Sequence, residues 1–367
     1  MALLHSYRDA GKPSMRRYAV DLGKALSGRG MIVDHVVVDS SLPRGLLACR
    51  PVSLVDGLWG RYVRYPGIAR RIDARIFHVM DHAYAHLVRA VGPARAIVTC
   101  HDVMLLALAA GRIDSPRRAP LATYLFRRDV SHLREAAAVV ADSERTRQDL
   151  VDLVGVAPDR VEVIPPGLDA APPRGDEARE VMRRTFGWNG PTILHVGHSG
   201  FYKNLEGCLQ VLARVRKGGL EARLVHAGEA LRPAHFALAE RLGVTGAVDD
   251  RGRVGDAELE DLYAAADVLL FPSLYEGFGW PPLEAMAARL PVVCSTAGSL
   301  PEVVGDAALA AEPHDHDVLA THVATVLTDP HRADELRRRG LARAAIFRWE
   351  ETASRMELLY RRVADGG

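Results

Sequence analysis

Twice along this chain, short apolar runs of strand length alternate with stretches of helical periodicity, and a segment rich in proline, glycine and charge separates the two series. Such alternation is the pattern of a parallel sheet wrapped by helices. In the first series it predicts strands at residues 2–5, 32–38, 76–79, 96–99, 138–141 and 161–164, with helices such as 15–27, where Tyr18, Leu22, Ala25 and Leu26 share a face. In the second it predicts strands at 192–196, 223–227, 268–271 and 292–294 and a short one at 307–310, with helices starting near Leu205, Ala234, Asp256, Pro282 and His316. The separating segment is PPGLDAAPPRGDEA, residues 165–178, with the composition of an interdomain linker. At 367 residues the chain exceeds the roughly 250–300 at which single cores stop growing. The expectation is therefore two doubly wound α/β domains, 1–168 and 169–345. Residues 331–364 read as two basic helices broken near FRWEE, and the last of them, within 346–367, is expected to pack back on the first domain.

In doubly wound domains ligands bind beyond the carboxyl ends of the strands, so two such domains predict a cleft between sheet ends and chemistry in the loops after strands. The most specific loop is PSLYEGFGWPPLEAMA, residues 272–287, which follows an apolar strand and opens a helix marked by Pro281 and Pro282. Gly277 and Gly279 let backbone approach a ligand beside a helix N-terminus that favours negative charge, as a pyrophosphate requires. Glu276 in the loop and Glu284 in the helix are spaced to meet different parts of one ligand. LHVGHSGFYKN, residues 194–204, is a glycine loop ending in Lys203, a cation able to neutralise a departing diphosphate, with His198 beside it. Alone, that pattern also fits a surface turn; with the Glu276 loop it becomes specific.

IVTCHDV delivers His101 and Asp102 to the edge of the first sheet. There His101 is placed either as a structural residue or to bond a sugar hydroxyl and exchange a proton near neutral pH, oriented by Asp102 or by backbone. The loop SYRDAGKPSM, with Gly11, Lys12 and Ser14, is placed to line the cleft from the first domain. It is not a GxGxxG fingerprint, and no GxxxxGK[ST] loop occurs, which argues against a nicotinamide oxidoreductase and a P-loop kinase.

Cys49, Cys100, Cys208 and Cys294 are scattered without a CxxC pair or histidine cluster, so neither zinc nor a disulfide framework is indicated and a reducing compartment fits. No signal-peptide core opens the chain and no run reaches the roughly 20 apolar residues of a membrane span. A cytoplasmic protein, at most peripheral on the membrane, is expected. The net charge of +1 hides an asymmetry: residues 1–170 carry 24 Lys+Arg against 18 Asp+Glu, and 13 arginines face five aspartates between 61 and 134. That region can meet anionic lipid headgroups or a phosphorylated acceptor, or be a solvated arginine-rich surface.

Together these motifs resemble the family-4 retaining glycosyltransferases of the GT-B fold. MRRYAVDLGKAL, IVTCHDV, VVADSERTRQDLVDLVGVAPDRVEVIPPGLD, LHVGHSGFYKN, GRVGDAELEDLYAAADVLLFPSLYEGFGWPPLEAMA, PVVCSTAGSLPEVVGDAAL and FRWEETA stand in the family's order, and the E-x7-E segment is the most specific element. The resemblance implies that Glu276 contacts the donor sugar, Glu284 the ribose and Lys203 the diphosphate. It further implies that Gly197, Phe278 and Gly279 lie along the donor, that Arg253 and Val254 meet the nucleotide base, and that His101 approaches the transferred sugar. It implies no metal and no cofactor beyond the nucleotide-sugar co-substrate. His198 stands where many members carry an arginine, and the first loop lacks the family's Gly-Gly pair.

The resemblance thus implies a retaining transferase, closing its domains around a nucleotide-sugar donor and a glycan, lipid-linked or small-molecule acceptor, with no nucleic-acid partner. The basic region between residues 61 and 134 points to envelope polysaccharide or glycoconjugate synthesis as the setting. A glycoside phosphorylase on the same scaffold and a catalytically impaired sugar-binding subunit are the alternatives.

Overall fold

The computed structural model describes residues 1–6, 13–40, 42, 50–114, 120–169 and 173–366. Gly11 and Lys12 lie outside them. The chain divides into two units, Met1–Gly167 with Arg348–Gly367, and Leu168–Phe347.

The first unit carries a six-stranded parallel sheet: β1 Ala2–Leu4, β2 Asp34–Val36, β3 Phe77–Val79, β4 Ala96–Cys100, β5 Ala138–Ala141 and β6 Val161–Val163, in the order β2-β1-β3-β4-β5-β6. One face of the sheet, with Leu4, Phe77, Val79, Val98 and Val139, enters a single apolar cluster. The other face carries a polar relay. Tyr360 and Thr99 bracket His78, at 2.7 Å from Nδ1 and 2.7 Å from Nε2, and Tyr18 reaches Thr99 at 3.3 Å. Tyr360 belongs to the terminal helix Trp349–Asp365, which packs on the helix Pro13–Gly28 and donates from Thr352 to the Pro165 carbonyl at 2.8 Å. Burial pushes His78 down to about 3, so it stays neutral and bonds as a neutral ring.

The edge strand β2 is shorter than its apolar run predicts, with Ile32 and Val37 exposed beyond its ends. An edge strand has only one partner to extend its ladder.

The second unit carries β7 Thr192–Gly197, β8 Arg223–Gly228, β9 Val248–Gly252, β10 Val268–Phe271, β11 Val292–Ser295 and β12 Leu309–Ala311, ordered β12-β11-β10-β7-β8-β9 and all parallel. Alternate residues go to opposite faces: Leu194, Val225, Leu269 and Val292 enter one apolar cluster, and Ile193, Leu224, Leu270 and Val293 the other. A sheet buried on both faces needs these near-continuous apolar runs. β9 reads Val-Asp-Asp-Arg-Gly and offers no apolar alternation, which is why sequence reasoning passed over it. In this strand order the chain reverses direction between β7 and β10, and the crevice beyond the carboxyl ends of those two strands is the natural ligand position.

Candidate functional site

The loops that follow β7 and β10 flank that crevice and carry the two most specific sequence motifs. The geometry joins them directly: Lys203 Nζ donates to Glu276 Oε1 at 2.8 Å, with both side chains buried. Lys203 also lies 5.0 Å from the centre of the Phe271 ring and 5.7 Å from that of Tyr202. A buried ion pair is retained only where its geometry offsets the desolvation of both charges. Here that geometry is built from three directions.

Lys203 closes a single turn, Phe201–Lys203, and Asn204 in the left-handed region then caps the helix Leu205–Lys217, accepting from Gly207 N–H at 3.0 Å and donating to the carbonyls of Pro272 and Pro313. The Glu276 backbone is held by the loop after β11. Ser299 donates from N–H and Oγ to the Glu276 carbonyl, at 3.1 and 3.2 Å, and its Oγ reaches the Phe278 carbonyl at 2.8 Å. Gly298 makes this approach possible, since a Cβ there would stand 2.4 Å from the Glu276 carbonyl oxygen. Behind the pair, His195 and His226 meet Nδ1 to Nδ1 at 3.1 Å. Burial holds both rings below their ordinary range, so they are neutral.

Gly197, His198 and Lys203 occupy one loop. His198 Nδ1 accepts from Gly200 N–H at 2.9 Å, so its proton sits on Nε2, 2.6 Å from the Tyr202 hydroxyl. His198 therefore staples the turn as a neutral ring. The loop after β8 meets this turn: Arg232 Nε donates to Ser199 Oγ at 3.0 Å and Glu229 accepts from Ser199 N–H at 3.2 Å. Gly228 precedes that loop at φ +149°, and any Cβ there would strike the Gly197 carbonyl. Neither Arg232 nor Gly228 sits in a recognisable motif.

Phe278 and Gly279 lead into the helix Trp280–Ala287. Gly279 caps it at φ +105°, a conformation that excludes side chains. Pro281 and Pro282 carry no N–H, so the first turn of this helix offers two donors rather than the usual four. Glu284 is the fifth residue of the helix, and Tyr263 donates to its Oε2 at 2.8 Å, fixing the carboxylate from below. Arg253 is exposed after β9 and Val254 packs against the core beside it. Among the described residues no group of three or more His, Cys, Asp or Glu is placed to hold a metal ion.

In the first unit the loops after β1 and β3 meet at the corresponding switch point, with Ser6 Oγ donating to Asp81 Oδ2 at 2.9 Å. His101, after β4, has both ring nitrogens committed: Nδ1 to Asp142 Oδ2 at 2.7 Å and Nε2 to the Met80 carbonyl at 3.0 Å. Both partners are acceptors, so both nitrogens carry protons. Burial opposes that charge, but the Asp142 carboxylate and the two hydrogen bonds outweigh it and push the group up to about 9. His101 is a fixed imidazolium rather than a base poised near neutrality. Asp142, not Asp102, orients it; Asp102 accepts from Met104 N–H at 2.9 Å, at the start of the next helix. Ser14 is exposed in the first turn of the helix Pro13–Gly28.

Residues 179–343 match the model for glycosyl transferases group 1, and residues 15–172 that for glycosyltransferase family 4. O-antigen chain mannosyltransferase B of Escherichia coli is 32% identical over 264 residues, covering 70% of this chain and 67% of that protein. D-inositol 3-phosphate glycosyltransferase of Kribbella flavida is 30% identical over 97% of this chain and 92% of its own length. The matched segment spans about half, 55%, of MMP alpha-(1->4)-mannosyltransferase of Mycolicibacterium hassiacum, at 31% identity. Among solved structures, Anabaena HepE in complex with UDP and glucose aligns over 99% of this chain and 100% of its own, with a TM-score of 0.75 and 18% identity. Sucrose-phosphate synthase of Thermosynechococcus elongatus aligns over 100% and 99%, at 0.75 and 21%. At such identities the likeness is one of fold, the GT-B pair of Rossmann-like domains.

Proposed function

The chain belongs to glycosyltransferase family 4, and from that premise we propose that it moves a hexosyl group from a nucleotide sugar to a glycan, lipid-linked or small-molecule acceptor with retention of configuration. The observation that carries the reading is the buried Lys203–Glu276 pair at the switch point of the second sheet. A lone buried pair has little reason to persist for stability, since apolar replacements serve as well. As a donor site it has one: Glu276 takes sugar hydroxyls, and Lys203 turns to the diphosphate.

In this reading the bond from the anomeric carbon to the diphosphate oxygen breaks with its electron pair leaving on the diphosphate. Lys203 and Arg232 supply the positive charge that receives it, without a metal. Glu284 binds the ribose, Arg253 and the Val254 backbone lie at the base, and Phe278 and Gly279 line the sugar and phosphate. The first unit supplies the acceptor side, where His101 acts as a fixed positive charge. An acceptor in envelope polysaccharide or glycoconjugate synthesis is supported by the likeness to an O-antigen mannosyltransferase.

The test is a thermal-shift screen against UDP-, GDP-, ADP- and TDP-sugars. A ligand at 100 times its Kd adds about 2.7 kcal/mol of stability, so one base is expected to stand out. No shift with any nucleotide sugar, alongside a shift with phosphate or a free sugar, would turn the reading to a phosphorylase or a sugar-binding subunit.

A second expectation concerns Tyr263. Tyr263→Phe removes one hydrogen bond from the Glu284 carboxylate, and nucleotide affinity is expected to fall roughly 3- to 10-fold, the worth of one hydrogen bond. With a 2′,3′-dideoxynucleotide, which offers no ribose hydroxyls, calorimetry should find variant and wild type alike. Equal losses with both nucleotides would make Tyr263 a packing residue only.

A further inference from the structure

His195 and His226 stand opposite one another on the interior strands β7 and β8, partners in the parallel register, and both are buried. Their protons can be placed from the acceptors around them. His226 Nε2 lies 2.9 Å from the Glu229 carbonyl, which only accepts, so Nε2 carries the proton. Burial keeps both rings neutral, and a neutral ring has a single N–H, so His226 Nδ1 is bare. The proton in the 3.1 Å contact between the two Nδ1 atoms then belongs to His195. His195 Nε2 is left as a bare acceptor. The reverse pair of tautomers, with His195 Nε2–H turned to the Lys203 carbonyl, would leave His226 Nε2 and the Glu229 carbonyl as two acceptors 2.9 Å apart.

Among the described residues no donor reaches His195 Nε2, although the atom is buried. An unmet buried acceptor is costly, and an apolar residue at this strand position would carry no such cost. The ring lies against the lysine of the site. His195 Cε1, the carbon bonded to Nε2, and Lys203 Cδ both lie 3.5 Å from the point where a side chain at Gly197 would begin. The His195 ring also stacks on Phe271, with 6.1 Å between centres, and the Lys203 ammonium stands 5.0 Å from the centre of that same ring. The ammonium is near enough for its charge to push the His195 ring further down. Lys203 has three N–H donors, and Glu276 Oε1 takes one of them.

We propose that His195 is a positioning residue for the transfer: when a donor sugar occupies Glu276, the bare Nε2 takes an N–H of the Lys203 ammonium and holds it against the diphosphate. This rests on the donor-site reading of the Lys203–Glu276 pair. His226 and the Glu229 carbonyl keep the His195 proton on Nδ1, which is what leaves Nε2 open to the ammonium. A neutral acceptor suits this task better than a second carboxylate would. It orients the ammonium without cancelling the charge that the departing diphosphate requires.

The experiment is nitrogen NMR of the full chain labelled at histidine, with UDP-glucose, GDP-mannose, ADP-glucose and TDP-glucose added in turn and thermal shift reporting which of them binds. In the free protein His195 is expected to show a protonated Nδ1 and a bare Nε2, and His226 the reverse. The donor that binds should move His195 Nε2 upfield, as a bare ring nitrogen moves on accepting a hydrogen bond, and leave Nδ1 protonated. Two variants supply the kinetic readout, followed as release of nucleoside diphosphate. His195→Gln, whose amide oxygen reaches as far as Nε2, should keep kcat within about threefold of wild type, whereas His195→Phe should lower it roughly 10- to 30-fold with the donor KM little changed. Both variants deprive His226 Nδ1 of its donor, so the difference between them isolates the acceptor. A donor that binds and leaves the Nε2 resonance unmoved, a proton found on Nε2 in the free protein, or equal kcat in the two variants would overturn the proposal and leave the donor site standing. If none of the four raises the melting temperature, the donor-site reading falls, and this proposal with it.

Discussion

Lys203→Ala is expected to lower kcat by roughly 100- to 1,000-fold, the usual cost of removing one positioned group from developing negative charge. The geometry adds a second consequence. Lys203 is the partner of a buried carboxylate, and losing it leaves Glu276 either charged without compensation or protonated. The variant should therefore also lose about 3–5 kcal/mol of stability, the range for breaking a buried pair from one side. Glu276→Gln should cost a similar amount for the mirror reason, leaving the ammonium unpaired.

The double variant Lys203→Met with Glu276→Gln separates the two effects. With both charges gone nothing is stranded, so its melting temperature should recover most of the way to wild type while turnover stays lost. Thermal melting and steady-state kinetics on the three variants decide the matter. If Lys203→Ala keeps its kcat, the pair is structural and the donor site lies elsewhere. If the double variant is as unstable as the singles, the losses come from packing of the side chains and not from stranded charge.

That pair shows what a sequence can and cannot disclose. Lys203 and Glu276 each stand out from the motif around them, because a glycine loop after an apolar strand has few physical uses. Their contact was not legible, since it depends on β10 lying beside β7, a strand order that periodicity does not encode. The residues that hold the pair and the Lys203 loop were missed for the same reason: Ser299 and Gly298 come from the loop after β11, and Arg232, which meets Ser199, from the loop after β8. Gly298 and Ser299 lie inside the PVVCSTAGSLPEVVGDAAL segment, but nothing local foretells these contacts, because each acts across a sheet edge. Tyr263 is a similar case, an apparent core tyrosine whose hydroxyl happens to meet Glu284. Strands were readable where both faces are buried, as in β10. They blurred at the edges, where β2 shortens and β9 is polar. His101 was legible as a site residue but not in its charge state, which rests on an aspartate 41 positions away.

Asp142→Asn tests that charge state. The His101 group rises from an ordinary 6.5 to about 9 on folding, so the folded protein binds its proton more tightly than the unfolded chain. A group raised in this way contributes stability that is complete below about 6.5 and is lost as pH climbs through 9. Of the groups packed around it, burial holds the Tyr18 and Cys100 protons well above this window and keeps His78 neutral below it. With asparagine at 142 the carboxylate that holds the imidazolium is gone, and His101 must either strand a buried charge or give up its proton. Chemical denaturation at pH 6 is expected to find the variant about 3 kcal/mol less stable than wild type, the order set by a rise from 6.5 to about 9. The gap should narrow steadily from pH 7 and be largely closed by pH 10, because wild type has by then lost the same proton. A gap of equal size at pH 6 and pH 10 would mean that Asp142 acts through shape and hydrogen bonding alone, and His101 would return to being a neutral ring available for proton exchange.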